Sequence, residues 1–475
     1  MIAAKTGPGS AKWRLHPRER RTLLLLVDLL MAFIALAIAT YVWSAADQYQ
    51  SLTIAFLRRL PTWFFLLPFA WPFLMVRLYD EHRARDHKEL IGNIAIAALI
   101  GLGIYMVVFF TSETPKALPR IGVASFIISV FILTLFWRLI YIRVFTAPQF
   151  MRRVLLVGAG ETGSIMLRII NDIKPRPYIM VGIIDDDPQK IGKILEGYEV
   201  FGGCNKLLEA IANHQITDLI VAISGQLQGG MFQALLDAQE LGIEIIRMPV
   251  AYEELLHRVP VRYLEAEWIL RSFVDKARTE TFSELLKRGL DILGGVFGLL
   301  ALIILFPFIA LAILLETGMP IFYKQNRLGR GGQLYSIYKF RTMRVDAEAN
   351  GQPQWAEEND RRATKVGLFL RKTHTDEIPQ FYNVLRGEMS LVGPRAERPE
   401  LVEWFQKHVP FYRARLLVRP GITGWAQINQ QYAATIDETI EKLEYDLYYI
   451  MHRNFLMDLR ILATTPSLVF RFKGR

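Results

Sequence analysis

Apolar residues in this chain come in blocks. Four long runs precede residue 145, at 22–43, 61–76, 90–111 and 121–144. Each approaches the ~20 residues a helix needs to cross ~30 Å of hydrocarbon. Four in succession with short polar connections predict a four-helix transmembrane bundle. No small-residue cleavage site follows the first run, so it is read as a span and not as a cleaved leader. Beyond residue 152 the pattern changes to short buried-strand runs at 153–157, 179–184, 219–223 and 243–248, with helical patterns from 161 to 170 and at 207–213 and 231–241. That alternation predicts a parallel α/β sheet. A fifth apolar run, 292–315, is interrupted by Pro307, and a polar, motif-rich segment follows it to the C-terminus.

Basic residues orient the spans. Lys5, Lys12, Arg14, Arg18, Arg20 and Arg21 precede the first. Arg77, Arg83, Arg85 and Lys88 lie between the second and third, and Arg152 and Arg153 follow the fourth. The remaining connections carry only Arg58 and Arg59, then Lys116 and Arg120. This bias puts the N-terminus and the segment after 144 in the cytoplasm. Asp28, inside the first span, is either a functional buried charge or an acid that pairs or reaches the nearby interface. The fifth run has basic residues on both sides, Lys287 and Arg288 before it and Lys324, Arg327 and Arg330 after it. A full crossing there would export the rest of the chain. Pro307 removes a helical N–H and crowds the preceding turn, which points to a helix–break–helix that enters the membrane and returns; an ordinary kinked span is the alternative.

Composition narrows the classes. Of 475 residues, 52% are hydrophobic, which excludes a disordered chain and argues against an ordinary soluble enzyme. The single cysteine, Cys204, excludes an internal disulfide and any Cys-cluster metal site. A formal charge of +10 on so apolar a chain points to an anionic membrane or phosphate substrates as readily as to nucleic acid; with the motifs described below, no nucleic acid partner is expected. The expected division is a basic N-terminus (1–21), four spans (22–145), a Rossmann-like domain (150–250), a linker (251–281) and a C-terminal domain with the fifth run (282–475).

Gly158, Gly160 and Gly163 lie between a strand and a helix, and Asp185 ends the next strand. This is a possible nucleotide loop, with Asp185 placed for a ribose, so NAD or another nucleotide is a candidate ligand. Alternatively the glycines only make the turn. A membrane-tethered NAD-dependent nucleotide-sugar dehydratase or epimerase would need a Tyr-x-x-x-Lys pair inside this unit. Tyr335 and Lys339 have that spacing but lie beyond the fifth run.

The densest chemistry is at Asp376-Glu377, with Arg371, Lys372, Arg386 and Arg395 close in sequence and Lys339-Phe340-Arg341-Thr342-Met343 and Arg419-Pro420-Gly421 on either side. An acidic pair alone is usually a solvated helix surface. Arginines clamp phosphate oxygens, glycines admit backbone amides to an anion, and a carboxylate holds Mg²⁺ or attacks phosphorus.

The segments KFRTM, TDEIPQFYNVLRGEMSLVGPR and VRPGITGWAQIN resemble, in order and spacing, the bacterial sugar transferases, the monotopic phosphoglycosyl transferases. The whole layout resembles the large polyprenyl-phosphate hexose-1-phosphate transferases of exopolysaccharide and O-antigen biosynthesis. The resemblance implies a multi-domain protein of the bacterial inner membrane with a mainly α catalytic domain on a re-entrant helix broken at Pro307. It implies transfer of a sugar-1-phosphate from a UDP-sugar to a polyprenyl phosphate lipid, through a covalent intermediate on Asp376. Glu377 is implied as metal support or proton acceptor, and Mg²⁺, held by Asp376 and Glu377, as the cofactor. Arg371 matches the arginine near the lipid phosphate, and Arg395 the one near the nucleotide. Lys339, Arg341, Thr342, Pro394, Arg419 and Gly421 are further candidate substrate-binding residues. A homodimer is expected. His374-Thr375 and Ala396 depart from the usual pattern.

Overall fold

The computed structural model describes residues 17–46, 52–79, 87–111, 119–145, 151–223, 225, 229–263, 281–344, 362–430 and 435–469. Lys5, Lys12, Arg14, Arg83, Arg85, Lys116 and most of the expected linker lie outside the described residues. The chain forms two compact units, Met1–Met248 and Pro249–Arg475.

The first unit opens with α1 (Pro17–Ala46), α2 (Ile54–Arg59), α3 (Leu67–Leu74), α4 (His87–Thr111) and α5 (Arg120–Phe145). α1, α4 and α5 are each long and apolar enough to cross a membrane. The second apolar run is not a helix of that length. It forms a 3₁₀ turn over Thr62–Leu66 and then the short α3, with Pro68 in its first turn and Pro72 inside it. Pro68 starts a helix and has no N–H to bond back to the turn before it, Pro72 removes a donor inside α3, and the 62–74 segment rises only roughly 20 Å. Asp28 of α1 and Arg138 of α5 form a fully buried ion pair at 2.6 Å, and Arg138 also donates to the carbonyl of Leu78 at 2.8 Å. The acid inside the first span is thus satisfied by a partner helix.

The Rossmann-like part follows, with β1 (Arg153–Val157), α6 (Glu161–Asp172), β2 (Ile179–Ile184), β3 (Ile194–Leu195), β4 (Tyr198–Gly202), α7 (Leu207–His214), β5 (Asp218–Val221), α8 (Gly229–Glu240) and β6 (Glu244–Arg247). The sheet order is β3-β4-β2-β1-β5-β6, parallel except for the β3–β4 hairpin. Leaving out β3, this is the doubly-wound order in which the chain reverses beside β1.

The second unit begins with α9 (Met248–Leu256), so residues expected to be linker are folded. The Tyr252 hydroxyl donates to Glu444 at 3.0 Å and the Val261 N–H to the same carboxylate at 3.2 Å. α10 (Thr281–Thr317) then carries the fifth apolar run as one continuous helix with Pro307 inside it. The run is not divided into two helices at Pro307: the lost donor and the ring's crowding of the preceding turn fall inside one continuous helix, whose other turns keep their hydrogen bonds. Both ends of α10 pack on the same folded body. Lys287 donates to Val392 O at 3.0 Å and Asp458 at 2.8 Å, while Thr317 and Gly318 accept from Arg341. Phe297, Ile303, Ile304, Phe308 and Leu315 are exposed along its outer side.

The remaining elements are β7 (Phe322–Leu328), β8 (Leu334–Phe340), α11 (Lys365–Lys372), α12 (Phe381–Arg386), β9 (Ser390–Val392), α13 (Pro399–His408), β10 (Gly421–Thr423), α14 (Trp425–Asn429), α15 (Ile436–His452) and α16 (Phe455–Val469). Their core gathers Ile337, Val384, Met389, Phe405, Trp425, Leu447 and Tyr449 around α15. The β7–β8 hairpin and the parallel β9–β10 pair are the additions to an otherwise helical body.

Candidate active site

Asp376 and Glu377 sit in a 3₁₀ turn, Thr375–Gln380, that runs into α12. His374 enters it with φ 55°, a left-handed conformation that lets the chain turn sharply off the end of α11. Asp376 is buried, and among the described residues its carboxylate has no hydrogen-bond or ion-pair partner. Glu377 is clamped: its Oε1 accepts from Lys339 Nζ at 2.6 Å and from Arg395 Nη2 at 2.8 Å.

The two carboxyls therefore differ. Burial pushes Asp376 above the usual aspartate range, with Lys339 opposing and Glu377 reinforcing the rise. Burial would push Glu377 up as well, but Arg395 and Lys339 outweigh it and hold Glu377 well below the usual carboxylate range. Adjacent carboxylates driven in opposite directions are a recurrent arrangement in sites that divide roles between two acids.

Strand alternation delivers the lysine. Tyr335, Ile337 and Lys339 share one face of β8; the first two enter the core and Lys339 ends the row at Glu377. Tyr335 faces the core, so its spacing from Lys339 builds no dehydrogenase-type pair. Arg371, in the last turn of α11, is held by its Nε–H to Thr342 Oγ1 at 2.9 Å. Gly367 permits this approach, because a Cβ there would lie 2.0 Å from the carbonyl oxygen of Thr342. No motif reading singled out Gly367.

Arg341 takes another place. It caps the C-terminal end of α10 through Thr317 and Gly318, and its Nε and Nη1 have no partner among the described residues. Pro394 and Gly421 belong to a backbone crossing: Gly421 N–H donates to Pro394 O at 2.9 Å, and Gly393 N–H to Thr423 O at 2.8 Å. A Cβ on Gly421 would lie 2.1 Å from Gly393 N, and one on Gly424 would lie 2.2 Å from Gly393 O. The glycines thus let two strands touch, and these two amides are spent within the protein. The crossing aims Arg395, whose own carbonyl accepts from the buried Arg415 at 3.0 Å. Arg415 in turn binds Asp446 at 2.8 Å and lies 3.3 Å from Glu397. Arg415, Asp446 and Glu397 stand outside the dyad motif, and only the fold connects them to it. Arg419 does not join the dyad; it lines a separate cavity with Arg330 and Arg453.

In the Rossmann-like part Gly158, Gly160, Gly163 and Asp185 do converge. Gly158 adopts φ 111°, and a Cβ on Gly163 would lie 2.1 Å from Gly158 O. Asp185 Oδ2 accepts the Ala159 N–H at 2.6 Å. The carboxylate therefore occupies a loop amide of the kind that a bound pyrophosphate uses.

Residues 282–472 match the family described as "Bacterial sugar transferase", and residues 75–249 match "CoA-binding domain". The chain is 44% identical over 180 residues to a UDP-N-acetylgalactosamine-undecaprenyl-phosphate N-acetylgalactosaminephosphotransferase of Aeromonas hydrophila, covering 38% of this chain and 42% of that protein. It is 29% identical over 332 residues to a UDP-glucose:undecaprenyl-phosphate glucose-1-phosphate transferase of Xanthomonas campestris pv. campestris, covering 67% of this chain and 66% of the relative. The chain thus spans between 42% and 66% of these two relatives. A shorter protein, the exopolysaccharide production protein PSS of Rhizobium leguminosarum bv. phaseoli, is 38% identical and is covered over 98% of its length by 40% of this chain. Because this chain covers 98% of that relative at 38% identity, and the family description itself matches the residues that build the clamped carboxylate dyad, the chain belongs to the bacterial sugar transferase family.

Proposed function

We infer that the chain transfers a sugar-1-phosphate from a UDP-sugar to undecaprenyl phosphate, the first step of building a polysaccharide repeat unit on a lipid. One observation carries the reading: a buried, unpartnered Asp376 carboxylate beside a Glu377 held anionic by Lys339 and Arg395. The named relatives act on UDP-linked glucose and N-acetylgalactosamine, which supports the substrate class and leaves the sugar open.

In this reading an Asp376 oxygen attacks the β-phosphorus of the UDP-sugar. The new P–O bond forms as the bond to UMP breaks, and UMP carries away the electron pair. The lipid phosphate then attacks the same phosphorus and releases Asp376 as a carboxylate. Arg395 and Arg371 are the cations beside the dyad for the diphosphate and the lipid phosphate. The donor set suits Mg²⁺, which is commonly held by one or two carboxylates together with substrate phosphates; Asp376 has free oxygens, and Glu377 has one beyond its clamped Oε1. When bound there, the ion supplies neutralisation of the diphosphate charge. The Rossmann-like domain is given no step.

The reading places both ends of α10 in the cytoplasm, since both are held on one folded body, with the exposed apolar side of the helix in the membrane. The test is product analysis. The full chain in nanodiscs, given undecaprenyl phosphate, Mg²⁺ and a panel of UDP-sugars, yields UMP and a lipid-linked diphosphate sugar for at least one donor. A folded preparation that forms neither with any donor overturns the reading.

A further inference from the structure

A cavity of about 550 Å³ opens in the C-terminal unit beside the start of α10, away from the dyad. Lys287, Arg288, Arg330, Arg419 and Arg453 line it, against the single carboxylate of Glu284. Its floor includes Val392 and Val418. Arg288 marks its distance from the reacting acids. That side chain donates to the carbonyls of Val384 and Leu385, at the C-terminal end of α12, at 2.8 and 2.7 Å. Asp376 lies at the other end of the same turn-and-helix element, roughly 15 Å away at ordinary helical rises.

The five cations are not equivalent. Lys287 spends its donors on Val392 O, Tyr449 Oη and Asp458. Arg288 gives two N–H groups to the helix end, and Arg453 lies 3.4 Å from Glu284. Arg330 and Arg419 have no hydrogen-bond or ion-pair partner among the described residues, so the cavity holds two guanidinium groups with their forks unengaged. A guanidinium fork matches two phosphate oxygens, and two forks over an apolar floor match a phosphate carried on an apolar or ring-bearing body. The cavity also adjoins the first turns of α10, whose exposed side is apolar; in the topology proposed above, those turns lie at the level of the lipid phosphates.

We propose that this cavity is a second phosphate-binding site, separate from the Asp376–Glu377 centre and engaged through Arg330 and Arg419. The phosphate comes from a phospholipid headgroup or from a soluble phosphate.

Site-resolved arginine modification tests this. The full chain is placed in phosphate-free dodecyl maltoside micelles, in the same micelles doped with phosphatidylglycerol, and in the same micelles with millimolar inorganic phosphate. Phenylglyoxal adducts are then mapped by peptide mass spectrometry. Arg419 modification is expected to slow at least fivefold in phosphatidylglycerol or with inorganic phosphate, while the exposed Arg386 reacts alike in all three. Protection by phosphatidylglycerol alone identifies a lipid headgroup, and protection by inorganic phosphate identifies a site open to soluble phosphate. Arg330→Gln, a change on an exposed turn, is expected to lose most of the Arg419 protection while leaving the melting temperature unchanged. Equal Arg419 reactivity in the three conditions, or protection undiminished by Arg330→Gln, overturns the proposal.

Discussion

The indole N–H of Trp425 donates to the backbone carbonyl of His257 at 2.9 Å. The two residues come from different parts of the sequence. Trp425 belongs to the Gly-Trp-Ala-Gln motif, whereas His257 precedes the family match, which starts at residue 282. The His257 ring lies 6.3 Å from that of Trp425 and 5.8 Å from that of Tyr448, and His452 binds Glu253 at 2.8 Å. Residues 249–263 therefore form an integral layer of the C-terminal unit.

A chain that starts at Pro249 is expected to fold and turn over, whereas one that starts at Thr281 loses that layer and uncovers Glu444 and Trp425. The measurement is a melting curve of each in the same detergent. The shorter chain is expected to melt at least about 5 °C lower, and equal midpoints would contradict the role assigned to residues 249–263.

Glu444 adds a pH signature. Burial raises its carboxyl to about 7, only partly offset by Arg258 and the Tyr252 hydrogen bond. A folded-state value above the unfolded one, near 4.3 for an ordinary glutamate, means that the folded form binds the proton more tightly. Stability from this group is complete below about pH 4.5 and is lost as pH rises towards and past 7. The midpoint of the C-terminal unit is expected to fall between about pH 5 and 7 and to level off above that, and Glu444→Gln to flatten that slope.

At the dyad, Asp376→Asn is expected to abolish sugar-phosphate transfer with folding intact, because the shape is kept and the nucleophile is lost. Glu377→Gln is expected to cost on the order of 100-fold, a typical loss for a preorganised charge in a site. Lipid-linked product formed by a pure Asp376→Asn preparation would exclude covalent catalysis on this residue.

Lys339→Met removes a cation that lowers the proton affinity of both acids. In the proposed mechanism Asp376 attacks as a carboxylate, so a higher affinity leaves less of it active at a given pH. The acid limb of kcat/KM is expected to move to higher pH, together with a lower plateau. A lower plateau with an unmoved limb would show that Lys339 only shapes the site.

Topology is tested with single cysteines at Leu285 and Met319, both exposed positions flanking the apolar part of α10, in a Cys204→Ser background. Both are expected to resist a membrane-impermeant thiol reagent outside intact cells and to react once the inner membrane is opened. Labelling of Met319→Cys alone from outside would establish a full crossing.

The apolar runs, the glycine loop and the adjacent acids were legible because each is a local pattern: hydrophobic length, a strand–turn–helix glycine spacing, two neighbouring carboxyls. The limits of that reading are physical as well. Hydrophobicity marked 61–76 as a span, but the prolines within it decide how much continuous helix forms, and only a short one does. Pro307 read as a break, yet the helix runs through it, since a single lost donor does not end a helix packed at both ends. Asp28 gave no hint of its partner, which lies 110 positions away. The sequence likewise put Arg341, Arg395 and Arg419 in one phosphate-binding set. Tertiary structure separates them to a helix end, the dyad and another cavity, because a side chain's role follows from which distant backbone brings it within 3 Å of a charge, and chain order does not encode that distance.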